Sequence, residues 1–307
     1  MSFDKNDENE TKILSDVKMS SGRRGLLRNI GMGAALAGVT SMGLPRKAEA
    51  AEVAGVTDTD ILNFALNLEY LEAEYYLMAV YGKGLPKTDI TGAGQIGAVS
   101  GGEKVNFNSA LMREYASEIA VDEFNHVKFL RSALGSSAVA RPKIDLNSSF
   151  TALAQAAGLI TSGEKFNPFL NEQNFLLGAF IFEDVGVTAY NGALALISDK
   201  GYLTAASSIM AVEAYHASEI RTRLLQAGQA AAVNKISALR AMLSAAVSPG
   251  TGDDQGISLN GKVNIVPADG NSLAFARTTG QVLNIVYGGG ASSDYLFYPN
   301  KMNGAIS

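Results

Sequence analysis

From Asp58 onward, apolar residues return every three or four positions in long runs, the spacing that lines one side of an α-helix. The stretch "TDTDILNFALNLEYLEAEYYLMAVYG" opens on Thr and Asp cap residues. It carries Ile61, Leu62, Ala65, Leu68, Glu69, Glu72, Tyr76 and Ala79 along one broad face and is stopped by Gly82 and Gly84-Leu85-Pro86. The same spacing predicts long helices over about 109–134, 172–197, 204–226 and 230–246, with a short one near 150–157. Residues 82–108, rich in Gly, Thr and Ser, break the pattern and read as a long loop, an ordered surface excursion or a lid. After Pro249 the period shortens to β-type alternation around Asn260-Gly261 and Asp269-Gly270, the second being the expected hairpin corner. "ARTTGQVLNIVYG" fits a strand or one short helix equally well. The expected organisation is therefore a helical bundle over 51–248 and a small extension with short strands over 249–307, packed on the bundle.

The first 50 residues follow a different logic. Residues 1–20 are polar and read as disordered. Paired Arg23 and Arg24 then precede a mildly apolar run from Ile30 to Leu44, and Ala48-Glu49-Ala50 offers a small-x-small cleavage site. This layout resembles a twin-arginine export signal, with Leu26 where that signal usually has Phe, and it implies a periplasmic or secreted protein. The run is short and glycine-rich for a spanning helix, so no stable membrane span is expected in the mature chain.

Composition narrows the chemistry. The hydrophobic fraction is 47% and the formal net charge is −5 with no long basic run, which argues against a nucleic-acid partner. Cysteine is absent, so thiol catalysis, disulfides and thiolate metal sites are excluded.

Against that background the two histidines stand out. His126 follows Glu123 by three residues and His216 follows Glu213 by three, so each pair presents an oxygen and a nitrogen on one helical face. A second regularity links the other two long helices: Tyr76 follows Glu69, and Tyr190 follows Glu183, by seven residues, nearly two turns. Both glutamates sit in apolar surroundings, "FALNLEYL" and "GAFIFEDV", where a carboxylate is costly unless it is paired or metal-bound. Four such helices packed together gather four carboxylates and two imidazoles, donors that suit iron or manganese; ligand type alone leaves zinc open. Glu72 competes with Glu69 from a neighbouring strip, Glu69 being favoured by its match to Glu183. Tyr76 and Tyr190 are either core fillers or partners of a ligand carboxylate or of electron transfer. Glu74, Glu114, Glu118 and Glu219 read as solvated charges, Asp184 points away from Glu183, and Asp122 is placed to orient the free nitrogen of His126.

These motifs resemble the ferritin-like superfamily and, within it, exported proteins related to plant desiccation-related protein. "FALNLEYLEAEYYLMAVYG" with "EIAVDEFNHVKFLRSALG" looks like that group's first helix pair, and "FEDVGVTAYNGAL" with "AVEAYHASEIRTRL" like its second. The resemblance extends to "AFARTTGQVLNIVYGG" and "YPNKMNG" near the end. It implies an all-α ferritin-like four-helix bundle with a small β-containing tail, binding two Fe or Mn ions through Glu69, Glu123, His126, Glu183, Glu213 and His216. The absence of cysteine departs from a rubrerythrin-type electron relay, and the long loop and tail argue against a storage cage. The expected activity is an oxidoreductase acting on a small-molecule oxidant, peroxide or O2, under oxidative or desiccation stress, with Tyr76 or Tyr190 assisting. The alternatives are a non-catalytic structural or binding protein with a metal-stabilised bundle, and periplasmic iron handling without a cage. An apolar four-helix face often pairs, which would make a homodimer.

Overall fold

The computed structural model describes residues 55–249, 253–289 and 295–307; the signal-like segment lies outside the described residues. Seven α-helices are present among them: α1 (Asp58–Tyr81), α2 (Ala110–Leu134), α3 (Ser148–Ala156), α4 (Glu172–Leu194), α5 (Lys200–Gln226), α6 (Ala230–Val247) and α7 (Thr279–Val286). The cap chemistry is that of the sequence. Thr57 and Asp60 form a capping box, Ser109, Asn171 and Asp199 each accept a backbone N–H at the starts of α2, α4 and α5, and Gly82 closes α1 with φ 71°. The fourth long helix begins at Lys200, ahead of the expected 204, because Asp199 caps it, and the third stops at Leu194 rather than 197.

Helices α1 and α2 pack as one pair, α4 and α5 as another, and between the pairs the backbones of α1 and α4 approach most closely. Two features cover α1 from outside. The 82–108 segment is ordered: its strand β1 (Val99–Gly101) pairs in parallel with β2 (Ile144–Leu146) of the connection before α3. The C-terminal extension lies over the bundle, where Tyr298 donates to the carbonyl of Asn67, Asn303 exchanges hydrogen bonds with Asn67, and Phe297 and Tyr298 are buried. Helix α1 is therefore buried nearly all round, its Asn and Glu side chains included.

That burial corrects one expectation. Glu74 is not a solvated charge but 0% exposed, bonded to Arg141 and accepting the Leu85 N–H. The i, i+3, i+4 stripe had marked only one buried face of α1, and the loops supply the cover for the other. Glu114 and Glu118 are exposed, and Glu219 is half-buried beside Arg223.

A buried ion network ties the extension to the bundle. Asp184 accepts from Arg221 and Arg240 at 2.7 Å each, while Asp254 accepts from Arg240 and, at 2.6 Å, from Arg277. The extension's hairpin, β3 (Ser258–Leu259) and β4 (Lys262–Val263), turns at Asn260-Gly261, not at the expected Asp269-Gly270. Asn260 and Gly261 both take positive φ, which matches the strand twist, whereas Asp269 turns its carboxylate onto the N–H groups of Asn271 and Leu273. One isolated bridge, Ala268 to Ala274, remains there. "TGQVLNIV" resolves as helix α7, started by a Thr278–Gln281 capping box. Among the described residues no helix is long and apolar enough to cross a membrane.

Candidate metal centre

Four of the long helices contribute to one buried point. Glu69 comes from α1, Glu123 and His126 from α2, Glu183 from α4, Glu213 and His216 from α5. All six are at least nine-tenths buried. Their donor atoms form two overlapping groups, each within 4.8 Å: Glu69, Glu123, His126 and Glu213 in one, Glu123, Glu183, Glu213 and His216 in the other. Glu123 and Glu213 belong to both.

The imidazoles face inward through the same nitrogen. Nδ1 of His126 lies 3.2 Å from Glu69 Oε2, 3.3 Å from Glu123 Oε2 and 3.6 Å from Glu213 Oε1. Nδ1 of His216 lies 3.0 Å from Glu123 Oε1 and 3.5 Å from Glu183 Oε2. The donors are close without pairing well. Both oxygens of Glu213, Oε1 of Glu123, Oε2 of Glu183 and Nδ1 of His216 have no hydrogen-bond partner. Buried polar atoms are rarely left so, and here they converge on one place. Hard oxygen donors with imidazole on one small volume fit divalent iron or manganese.

Electrostatics gives the same picture. Burial pushes the Glu69 carboxyl up to about 7, against the pull of His126. Burial and repulsion from Glu123 drive Glu213 well above the usual range. Glu183 is raised by burial, with His216 opposing. Burial works against ionised Glu123 too, but His126 and His216 flank it and hold its carboxyl below the ordinary value. Burial disfavours charge on both histidines, yet the surrounding carboxylates outweigh it and raise them well above theirs. The crowding of carboxyls that raises these groups is what a pair of cations would relieve.

The tyrosines bond across the bundle. Tyr76 on α1 donates to Glu183 Oε1 on α4, and Tyr190 on α4 donates to Glu69 Oε1 on α1. Their spacing in sequence placed each on the face of its helix's glutamate without saying which carboxylate it meets; in the fold each meets the glutamate of the other helix. Burial, with the nearby glutamates, keeps both phenols strongly protonated and therefore able to donate.

Asp122 orients a different histidine from the one expected. Its Oδ2 lies 3.2 Å from Nε2 of His216, in the other helix pair, rather than on His126 one turn away in its own helix. Asp184 is turned into the arginine network, away from the cluster. Between the two first-helix candidates, Glu69 joins a donor group and Glu72 does not. Glu72 is nonetheless close: it is 5% exposed, and burial with repulsion from Glu123, Glu69 and Glu183 raises it well above normal. Gly186 makes room for this crowding, since a Cβ there would stand 2.2 Å from Glu213 Oε2 and 3.3 Å from Glu72 Oε1. Nothing in the α4 pattern marked that glycine, because the contact is with another helix.

Comparison with known proteins agrees with this geometry. The Ferritin-like domain family matches residues 57–226, which hold all six donors. The desiccation-related protein PCC13-62 of Craterostigma plantagineum is 31% identical over 240 residues, covering 72% of this chain and 75% of its own length. The ferritin-like catalase Nec2 of Nesocodon mauritianus is 27% identical over 274 residues, covering 81% of this chain and 85% of its own. No solved structure matches the chain.

Proposed function

The chain belongs to the ferritin-like domain family, and from that premise we propose that it holds two iron or manganese ions and turns over hydrogen peroxide. The observation that carries the reading is the sharing of Glu123 and Glu213 by two adjacent donor groups. Glu69 and His126 would complete the set of one ion, Glu183 and His216 that of the other, with four carboxylates offsetting two divalent charges. Such a pair supplies a two-electron redox change, so that two molecules of peroxide give two of water and one of dioxygen without an outside reductant. The similarity to a protein named a catalase supports the choice of substrate.

The chain's own residues do the rest. Tyr76 and Tyr190 fix one oxygen of Glu183 and of Glu69, leaving the other oxygen of each toward the centre. Asp122 holds His216 by Nε2 and so presents Nδ1 inward. Glu72, beside Glu213 and outside both donor groups and with its carboxyl raised by burial, is placed to give a proton to the substrate and to take one back. The signal-like N-terminus suits export of the folded, loaded protein, and we include export in the proposal.

The test is metal content per chain in protein purified from its own compartment, beside Glu123→Ala and His216→Ala. Two iron or manganese ions, lost in both variants, with oxygen evolved from peroxide by the wild type alone, is the expected result. Native protein without a transition metal would sink the reading. Full loading without oxygen evolution would favour the second one, a metal-stabilised bundle that does no turnover, which the similarity to a desiccation-related protein supports.

A further inference from the structure

At one end of the bundle lies a cavity of about 20 Å³, between the first half of α1, the end of α2, the end of α4 and the start of α5. Ala65 and Ala205 are half-buried at its rim beside Phe129, which is 45% exposed, and Leu68 and Tyr190 are among its buried walls. Small side chains keep it open, since Ala65, Ala205 and Ala206 stand where larger residues would fill the gap. Every lining side chain is aliphatic or aromatic, and the only polar group among them is the Tyr190 hydroxyl, whose proton is committed to Glu69.

A space of this size is large enough for one water, but water needs two to four polar partners to stay, and apolar cavities remain dry. A small apolar molecule gives up no hydrogen bonds on entering. One of the walls is Tyr190, whose hydroxyl donates to Glu69, a donor of the candidate metal centre. We infer that this cavity is the passage for dioxygen between solvent and the centre, with Tyr190 as its inner wall. Peroxide, a strong hydrogen-bonding solute, is excluded by the same lining. The inference rests on the proposed dinuclear centre, where dioxygen is the product of peroxide turnover and the natural oxidant of the reduced metals.

A cavity of similar size lined by Phe150, Ala154, Leu177 and Ile285 includes neither of the tyrosines that bond the donors and serves as an internal control. The experiment uses the full chain in three forms: wild type, Ala206→Leu, and Ala154→Leu in the control cavity. Ala205→Phe at the rim replaces Ala206→Leu if the latter does not fold. Xenon under pressure, read in metal-free protein by diffraction or by ¹²⁹Xe shift, is expected in both wild-type cavities and is lost from each only where it is filled. The rate of reoxidation of the ferrous-loaded protein by dissolved dioxygen is expected to fall tenfold or more in Ala206→Leu. Metal content should be unchanged, and Ala154→Leu should match the wild type.

Absence of xenon from the wild-type cavity beside Tyr190 overturns the passage. So does an unchanged oxygen rate in a variant shown to be filled, and both results leave the dinuclear centre standing. Wild type that binds no metal pair overturns the two proposals together.

Discussion

Metal-free protein should lose stability as the pH rises from 5 to 7.5, the opposite of what a surface rich in carboxylates would suggest. Glu69 sets the sign. Its carboxyl moves from 4.5 to about 7 on folding, through burial. At pH 4 it is protonated in both states, and its contribution is fully present. As the pH rises the unfolded chain ionises first, and the contribution is lost by the time the pH passes about 7. A displacement of that size is worth about 3 kcal/mol. His126 and His216, raised well above 6.5, add loss of the same sign above pH 6.5. Glu123, held low, acts only below pH 4.5, where its stabilisation disappears on acidification. For a chain of this length about 3 kcal/mol corresponds to roughly 6–12 °C in Tm. Metal ions displace the protons, so the stabilisation conferred by loading should widen over the same range. The assay is calorimetry of chelator-dialysed and metal-loaded protein at half-unit pH intervals. Glu72→Gln removes one crowded carboxyl and should raise the metal-free Tm at pH 7.5. A metal-free Tm that holds steady or climbs between pH 5 and 7.5 would refute the reasoning, because the cluster would then not be buried as a set.

Three further outcomes follow from single contacts. Asp122→Ala frees Nε2 of His216 and should weaken metal binding by about 10–100-fold, read by chelator competition. Gly186→Ala should favour the helix by about 0.5–1 kcal/mol yet lower metal occupancy, because the new Cβ displaces Glu213; elemental analysis beside a thermal melt separates the two effects. Arg141→Ala leaves Glu74 buried without its counter-charge and should cost about 3–5 kcal/mol in urea unfolding, while Glu114→Ala at an exposed position should cost little.

The sequence made the donor set legible because helix geometry is local: three residues between Glu123 and His126 are enough to place two donors on one face. Capping was equally readable, as Thr57, Ser109 and Asn171 act on neighbours within three residues. What stayed hidden was decided by distant chain. Glu74 is buried by Arg141 and the residue-85 loop, Asp122 serves a histidine 94 positions away, and the two tyrosines reach across to the opposite pair. The parallel pairing of Val99–Gly101 with Ile144–Leu146 had no pattern to announce it, since three residues carry too little alternation.

The exchanged tyrosine bonds have a bearing on how the molecule is assembled. Neither helix pair owns a finished half-site: α1 and α2 bring Glu69, Glu123 and His126, but the phenol that steadies Glu69 arrives on α4, and the reverse holds for Glu183. Glu123 and Glu213, each needed twice, sit on opposite pairs. The centre is thus a latch between two hairpins, complete only when both have docked and in register. A one-turn slip of α1 along α4 would carry both phenols about 5 Å from their carboxylates. On the proposed reading, loading would act as a check on assembly, retaining the chains whose halves have met correctly and leaving the others easy to open.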